Sequence, residues 1–285
     1  MVEVKSAGLL TTIQDLGRFG YRKFGVPLSG AMDLFSAKIA NALLNNDVHC
    51  AVIEITIIGP TLTFKRPTFV VVTGAPCDLT INQKIASLNK VIKINSGDTL
   101  SVGKITKGVR SYIAVVGGWQ SPVVLNSRSY YAGISKDKLI KTGDELGYLP
   151  LKKNIINRTS VNFDSGHINS EIIQVTKGPE YDLLDQHSCH NLIGQTFKVS
   201  SQSNRMAYKL EHDFKLSSEE IVTSSVQPGT VQMTPSGGLI VLMRDCQTTG
   251  GYARVLQLTE SSINQLSQKP AGSPLAFALT MGDAS

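Results

Sequence analysis

Apolar positions in this chain fall in short runs. "AVIEITIIG" (51–59), "TFVVVTG" (68–74), "VIKINSGD" (91–98), "RSYIAVVGG" (110–118), "EIIQVTKG" (171–178), "TVQMTPSGG" (230–238) and "LIVLMRD" (239–245) are rich in β-branched residues and stop at Gly, Asp or Ser. β-Branched side chains suit a pleated surface, so each run predicts a strand, and their regular punctuation predicts barrels or sandwiches. Helical periodicity is rarer. In "GAMDLFSAKIANALLNN", Phe35, Ile39 and Leu43 recur at i, i+4 and i+8 beside Ala40 and Leu44, which makes one apolar stripe. Ser29 or Asp33 can cap its start, and Asn45 or Asn46 can turn left-handed at its end. A second helix is predicted from about Tyr181 to Ile193, stopping at Gly194, and a third from Ser261 to Gln268, halted before Pro270.

The stretch 149–166 is polar and weakly periodic, and the charge balance changes sign across it. Residues 1–160 hold 20 Lys+Arg against 10 Asp+Glu, and residues 161–285 hold 8 against 12. A domain boundary is therefore expected at about residue 160, dividing the chain into 1–160 and 161–285. The basic half predicts an anionic ligand or an acidic protein partner, because summed surface charge concentrates the opposite sign. No Lys/Arg block exceeds two residues and no aromatics alternate with them, which argues against nucleic acid.

With 285 residues, 41% hydrophobic, the chain can bury a sizeable core unaided. Cys50, Cys77, Cys189 and Cys246 form no CxxC pair, so neither zinc nor a disulfide framework is expected, and a reduced cytoplasmic protein is. No signal-type leader and no apolar run of membrane length is expected from "MVEVKSAGLL" onward, so the sequon at Asn157 carries no weight.

Familiar catalytic machinery is missing from the sequence. "GDTLSVGKIT" (97–106) resembles a phosphate-binding loop, but it has five residues between its glycines and Ile105 where a magnesium-holding Ser or Thr belongs; it reads as a hairpin between strands. His187 and His190 around Cys189 read as a solvated helix face. Polar, glycine-bounded loops are more informative. "TTIQDLGRFGYRKFGVPLSGAMD" carries Gln14, Asp15, Arg18 and Arg22; "NSRSYY" carries Arg128; "SSQSNRMAYKL" carries Asn204 and Arg205; and "DCQTTGG" carries Asp245, Thr248, Thr249, Gly250 and Gly251. Guanidinium groups match carboxylates and phosphates bidentately, so such loops predict a binding cleft for an anion.

These stretches, in order, resemble the allophanate hydrolase subunit 2 family, also called the biotin-dependent carboxyltransferase family, whose bacterial members include the C-type subunit of 5-oxoprolinase and the antagonist of a sporulation kinase inhibitor. The resemblance rests on "GLLTTIQDLGRFGYRKFGVPLSGAMD", "NALLNN", "IEITIIGPTLTF", "GDELGY", "GPEYD", "SQSNRMAYKL", "PGTVQMTPSGG" and "DCQTTGGY". The chain departs from the family at Ala253, Ala207 and Asn126, all at loop edges. The family implies a mainly β fold of two cyclophilin-like β-barrel domains with a few flanking helices.

It further implies one component of an ATP-dependent 5-oxoprolinase that opens 5-oxoproline to glutamate. The partners implied are an allophanate hydrolase subunit 1-like protein, which is the B-type subunit of 5-oxoprolinase, and the A-type subunit, with ATP as substrate and Mg2+ as an open option. Two alternatives follow from the same family: carboxyl transfer from carboxybiotin to urea or a similar amide, and a regulator that sequesters a kinase-inhibitor protein. Of six methionines none precedes a lysine, so covalently attached biotin is not expected. In the first reading Arg18, Arg128 and Arg205 bind carboxylate or phosphate groups. Gln14, Gln232, Thr248 and Thr249, with Asn204, Gly250 and Gly251, hold the lactam. Asp15 and Asp245 orient an arginine or handle a proton or metal ion.

Overall fold

The computed structural model describes residues 1–151, 166–217 and 221–280. The boundary expected near residue 160 and the Asn157 sequon lie outside the described residues. The chain divides into two compact units, one of Met1–Arg18 with Ser29–Ile168 and one of Phe19–Leu28 with Asn169–Ser285.

The first unit is built of β1 (Val2–Ser6), β2 (Leu10–Gln14), α1 (Leu34–Leu43), β3 (Val52–Thr56), β4 (Thr61–Phe64), β5 (Thr68–Gly74), β6 (Cys77–Ile81), β7 (Lys84–Ile85), β8 (Ile92–Ile94), β9 (Thr99–Ile105), β10 (Arg110–Val115) and β11 (Glu145–Leu146). The strands pair as a six-stranded sheet in the order β11-β1-β4-β9-β6-β7 and a five-stranded sheet in the order β2-β3-β10-β5-β8. Successive side chains leave a strand on opposite faces. Ile53, Ile55, Val70, Val72, Ile113 and Val115 accordingly share a core with Val2, Val4, Leu62, Phe64 and Leu100 of the other sheet. Their neighbours Val52, Val71, Tyr112 and Ala114 pack instead with Ala37, Ala40 and Leu43 of α1. Covered on both faces, β10 is buried at every position, and 51–59, 68–74 and 110–118 accordingly read as largely apolar runs. Burying each Ile, Val or Phe there contributes about 2 kcal/mol.

α1 starts and stops as its sequence requires. Asp33 accepts from Ser36 N at 3.1 Å and from Ser36 Oγ at 2.6 Å, and Asn45 takes φ 53° past the last turn. The stretch 97–106 departs from the expected hairpin. Its first residues turn, with Gly97 at φ 89°, but the rest is the single strand β9, and the preceding β8 belongs to the other sheet. Gly103, which signals a second turn in the sequence, lies in mid-strand against Asp78, whose Cβ an added side chain would meet at 3.0 Å.

After a short helix α2 (Gly166–Asn169), the second unit holds β12 (Ile172–Lys177), α3 (Gln186–Gly194), β13 (Thr196–Val199), β14 (Ala207–Glu211), β15 (Ser224–Ser225), β16 (Thr230–Met233), β17 (Leu239–Leu242), β18 (Thr249–Gly250), β19 (Ala253–Leu258), α4 (Glu260–Ser267) and β20 (Pro274–Leu279). Seven strands close a barrel in the order β12-β19-β16-β17-β14-β13-β20, with β12 parallel to β20 at the join. Burial alternates here: Ile173 and Val175, Phe197 and Val199, Tyr208 and Leu210, Leu275 and Phe277 are buried between more exposed residues. The second expected helix is broken in two. Tyr181–Leu183 forms one 3-10 turn, Leu184 is extended, and α3 starts afresh because the Asp185 carboxylate accepts from Ser188 N at 2.7 Å, a capping geometry outside the helix. The protein is thus mainly β with few helices and contains a closed seven-stranded barrel. Among the described residues no helix is long and apolar enough to cross a membrane.

Candidate functional site

In the first unit the residues singled out before α1 gather round one carboxylate. Asp15 is 9% exposed. Its Oδ1 accepts from Gly17 N at 2.8 Å and from the hydroxyls of Ser127 and Ser129 at 2.7 Å each, and its Oδ2 accepts from Arg128 N at 2.6 Å. These four donors approach the number of lone-pair positions a carboxylate offers. Asp15 therefore pegs the turn 127–129 in place. The arginines do similar work. Arg18, fully buried, donates through Nη2 to Ser129 O, and Arg128 donates to Gln120 Oε1 at 2.9 Å and to Ser121 O. Gln14 donates to Thr12 Oγ1 at 3.1 Å and Tyr130 O at 3.3 Å, while its buried Oε1 has no partner among the described residues.

In the second unit two motifs 40 residues apart meet. Arg205 grips Asp245 bidentately, Nε to Oδ2 at 2.8 Å and Nη2 to Oδ1 at 3.1 Å. Asn204 turns the chain toward this pair by accepting from Met206 N at 2.8 Å and Ala207 N at 3.2 Å. Asp245 thus orients an arginine. The loop beyond it pairs with another segment: Thr249 and Gly250, as β18, face Ser225 and Ser224 of β15, and Thr248 O accepts from Val226 N at 3.0 Å. Neither Gly250 nor Gly251 takes the positive φ that paired glycines permit. Gly250 leaves room for the Gln232 amide, whose Nε2 a Cβ there would meet at 2.7 Å. Gln232 is buried and donates to Tyr252 O at 3.3 Å. Burial pushes the Cys246 thiol up to about 11, so it is no nucleophile at neutral pH.

A third feature of the second unit has no counterpart among the roles read from the sequence. A cleft of about 490 Å³ opens beside β12, β16 and β19, lined among others by Arg22, Thr176, Lys177, Gly178, Arg254 and Gln257. Its floor is made by a β-bulge. Val231 pairs with Leu256 but Gln232 pairs with Arg254, so Val255 is the extra residue of β19. Bulges re-aim side chains, and Arg254, Leu256 and Gln257 all line the cleft as a result. The bulge also frees carbonyls, which the turn after β12 takes up: Gly178 N donates to Val255 O at 2.9 Å and Glu180 N to Arg254 O at 3.2 Å. Only glycine fits at 178, where a Cβ would overlap Arg254 O.

The same turn delivers Glu180, which accepts from Arg254 N, Nε and Nη2 at 2.8, 2.9 and 2.6 Å. The Arg254 hydrogen bonds hold the Glu180 carboxyl below its ordinary range, and Glu180 in turn raises Arg254. Arg22 enters on the 3-10 turn Arg22–Phe24 and donates to Val226 O, and the Lys177 ammonium lies 5.2 Å from the Tyr181 ring centroid. "KGPE", a strand end running straight into Gly-Pro, is the signal in the sequence that marks this corner. Nothing local marks Arg254, because its partner lies 74 residues away.

The chain matches the carboxyltransferase domain, subdomain A and B, over residues 24–279. It is 33% identical over 283 residues to the C-type subunit of the 5-oxoprolinase of Escherichia coli (strain K12), which takes in 97% of this chain and 90% of that one. To the urea amidolyase of Lachancea kluyveri it is 40% identical over 149 residues, 50% of this chain and 8% of that one. Among solved structures, the K. lactis urea amidolyase superposes with a TM-score of 0.86 at 27% identity, over 97% of this chain and 18% of its own. The fold, the order of the loops and these matches agree: the chain belongs to the carboxyltransferase-domain family, subdomains A and B.

Proposed function

We propose that the chain is the C-type subunit of a cytoplasmic, ATP-dependent 5-oxoprolinase that converts 5-oxoproline to glutamate together with the B-type and A-type subunits. The observation that carries this reading is the near full-length match to the C-type subunit of 5-oxoprolinase, against the half-chain match to the far longer urea amidolyase. A lactam is a poor electrophile because its nitrogen lone pair is delocalised into the carbonyl. Phosphorylating the amide oxygen at the expense of ATP activates the carbon: one water adds to it, the ring C–N bond opens to leave an acyl phosphate, and a second water displaces phosphate to give glutamate. Such chemistry asks the protein for positioning and charge neutralisation more than for a nucleophile.

On this reading Gln232, Thr248 and Thr249 of the second unit offer amide and hydroxyl groups to the lactam. Asn204, Arg205 and Asp245 set the loop that carries Thr248–Gly251, and Asp15, Arg18 and Arg128 set the turn 127–129. Glutamate release from 5-oxoproline by the reconstituted complex, dependent on ATP, is the test. Arg205→Ala should lower turnover by tenfold or more while thermal unfolding shows the fold retained, since Asp245 loses its bidentate partner. No glutamate from the complete complex, together with carboxyl transfer from added carboxybiotin to an amide, would replace this reading with the carboxyltransferase one.

A further inference from the structure

We propose that the cleft beside β12, β16 and β19 binds a small organic anion, a carboxylate or a phosphate ester, with Lys177 and Arg22 as its charged contacts. The assignment stands on the cleft alone and does not depend on the 5-oxoprolinase reading.

The first reason is charge. Arg22, Lys177 and Arg254 line the cleft and no Asp or Glu does. Arg254 is neutralised by Glu180, whereas among the described residues Arg22 and Lys177 take part in none of the ion pairs. This is no spill-over from a generally basic surface, because residues 161–285 carry 8 Lys+Arg against 12 Asp+Glu. Two uncompensated cations converge in the unit built mainly from the acidic half of the sequence.

The second reason is preorganisation. Long cationic side chains lose rotamer freedom when they bind, and a site that fixes them beforehand removes that cost. Arg22 is held by Val226 O, Lys177 lies against the Tyr181 ring, and Arg254 is clamped at three atoms by Glu180. The third reason is size and texture. About 490 Å³ falls within the range of small-molecule pockets and exceeds what a single inorganic ion needs. Pro179 supplies apolar surface for a short carbon skeleton, backed by the buried Leu256 and Val226, and Ser225 and Gln227 supply hydrogen-bonding groups.

The test is calorimetric titration of the full chain near neutral pH and low salt with two probes, inorganic phosphate and 5-oxoproline. Binding of either one below about 10 mM is expected, and which of the two binds more tightly identifies the phosphate or the carboxylate as the preferred chemistry. Lys177→Ala should weaken that binding about tenfold or more, while Lys84→Ala, on the exposed edge strand β7, should leave it unchanged. Glu180→Gln removes the charge opposing Arg254 and should not weaken it. Absence of binding by both probes, or equal binding by the Lys177→Ala and Lys84→Ala variants, overturns the proposal. Lys177 is exposed and meets the buried Tyr181 only by laying its ammonium against the ring, and an unchanged thermal unfolding of the variant keeps the outcome readable.

Discussion

The five-stranded sheet of the first unit and the barrel of the second bury their strands in different ways, and their polar groups differ accordingly. The sheet is covered on both faces, by its partner sheet and by α1, so polar groups within it must find partners inside the protein. Glu54 illustrates this: its Oε2 accepts from Met32 N at 2.7 Å and from Tyr112 OH at 2.9 Å. Asp15, at the end of β2, is closed off by its four donors in the same way. Several barrel strands, β12, β13 and β14 among them, bury every second residue, and β12 and β19 carry groups that look outward, Thr176, Lys177, Arg254 and Gln257 among them. A two-sided sheet turns its chemistry into scaffolding; a one-sided strand leaves chemistry available to a ligand.

The sharpest way to break this contrast is Asp15→Ala. It strands four donors of the first unit, each worth about 1–3 kcal/mol when buried and unmet, though not additively, so a loss of about 3–5 kcal/mol is expected in urea unfolding. A loss below about 1 kcal/mol would show that the turn 127–129 does not depend on it. Next in size is Gly178→Ala. The added Cβ collides with Arg254 O, a backbone atom that cannot swing aside, so about 2–3 kcal/mol of stability should go and phosphate binding by the cleft with it. Unchanged stability and binding would mean that the bulge relaxes around a methyl group.

The smallest effect is a pH dependence confined to the second unit. Glu180 has a carboxyl lowered by Arg254, so it contributes stability that is present in full above the unfolded value of 4.5 and is lost as pH falls through the lower, folded value. Glu180→Gln should lower stability in the neutral range by that contribution and flatten that part of the acid unfolding curve, so that variant and wild type converge at low pH. An acid limb identical in the wild type and the variant would remove the ion pair from the account.

The same difference in burial explains what could be read from the sequence. Two-sided strands appear as continuous apolar runs, and β3, β5 and β10 were legible for that reason. In "AYKLE" of β14 and "TFKV" of β13 every second residue faces outward, and such short alternation gives no run to see. α1 was legible because its cap and terminal Asn45 are local, but the expected stripe runs partly off the buried face: Phe35 is exposed and Ile39 half-buried, while Ala37, Ala40 and Leu43 make the contact. The loops were legible as loops but not as a geometry. Whether Asp15 meets an arginine side chain, a hydroxyl or a main-chain N–H depends on Ser127 and Ser129, which lie 112 and 114 residues away. The cleft was hidden for the same reason, since it needs an arginine from the N-terminal motif, a turn after β12 and a bulge in β19.

That last dependence has a consequence for how the chain is made. Arg22 lies 204 residues before Val226, whose carbonyl it grips. At about 5–20 residues per second on a ribosome, the segment Phe19–Leu28 waits roughly 10–40 s after its synthesis before its partner exists. During that interval Phe19 and Phe24, exposed even in the finished protein, are open to whatever the cell offers. Those seconds make the N-terminal motif the place where a chaperone, or a neighbouring nascent chain, would first take hold.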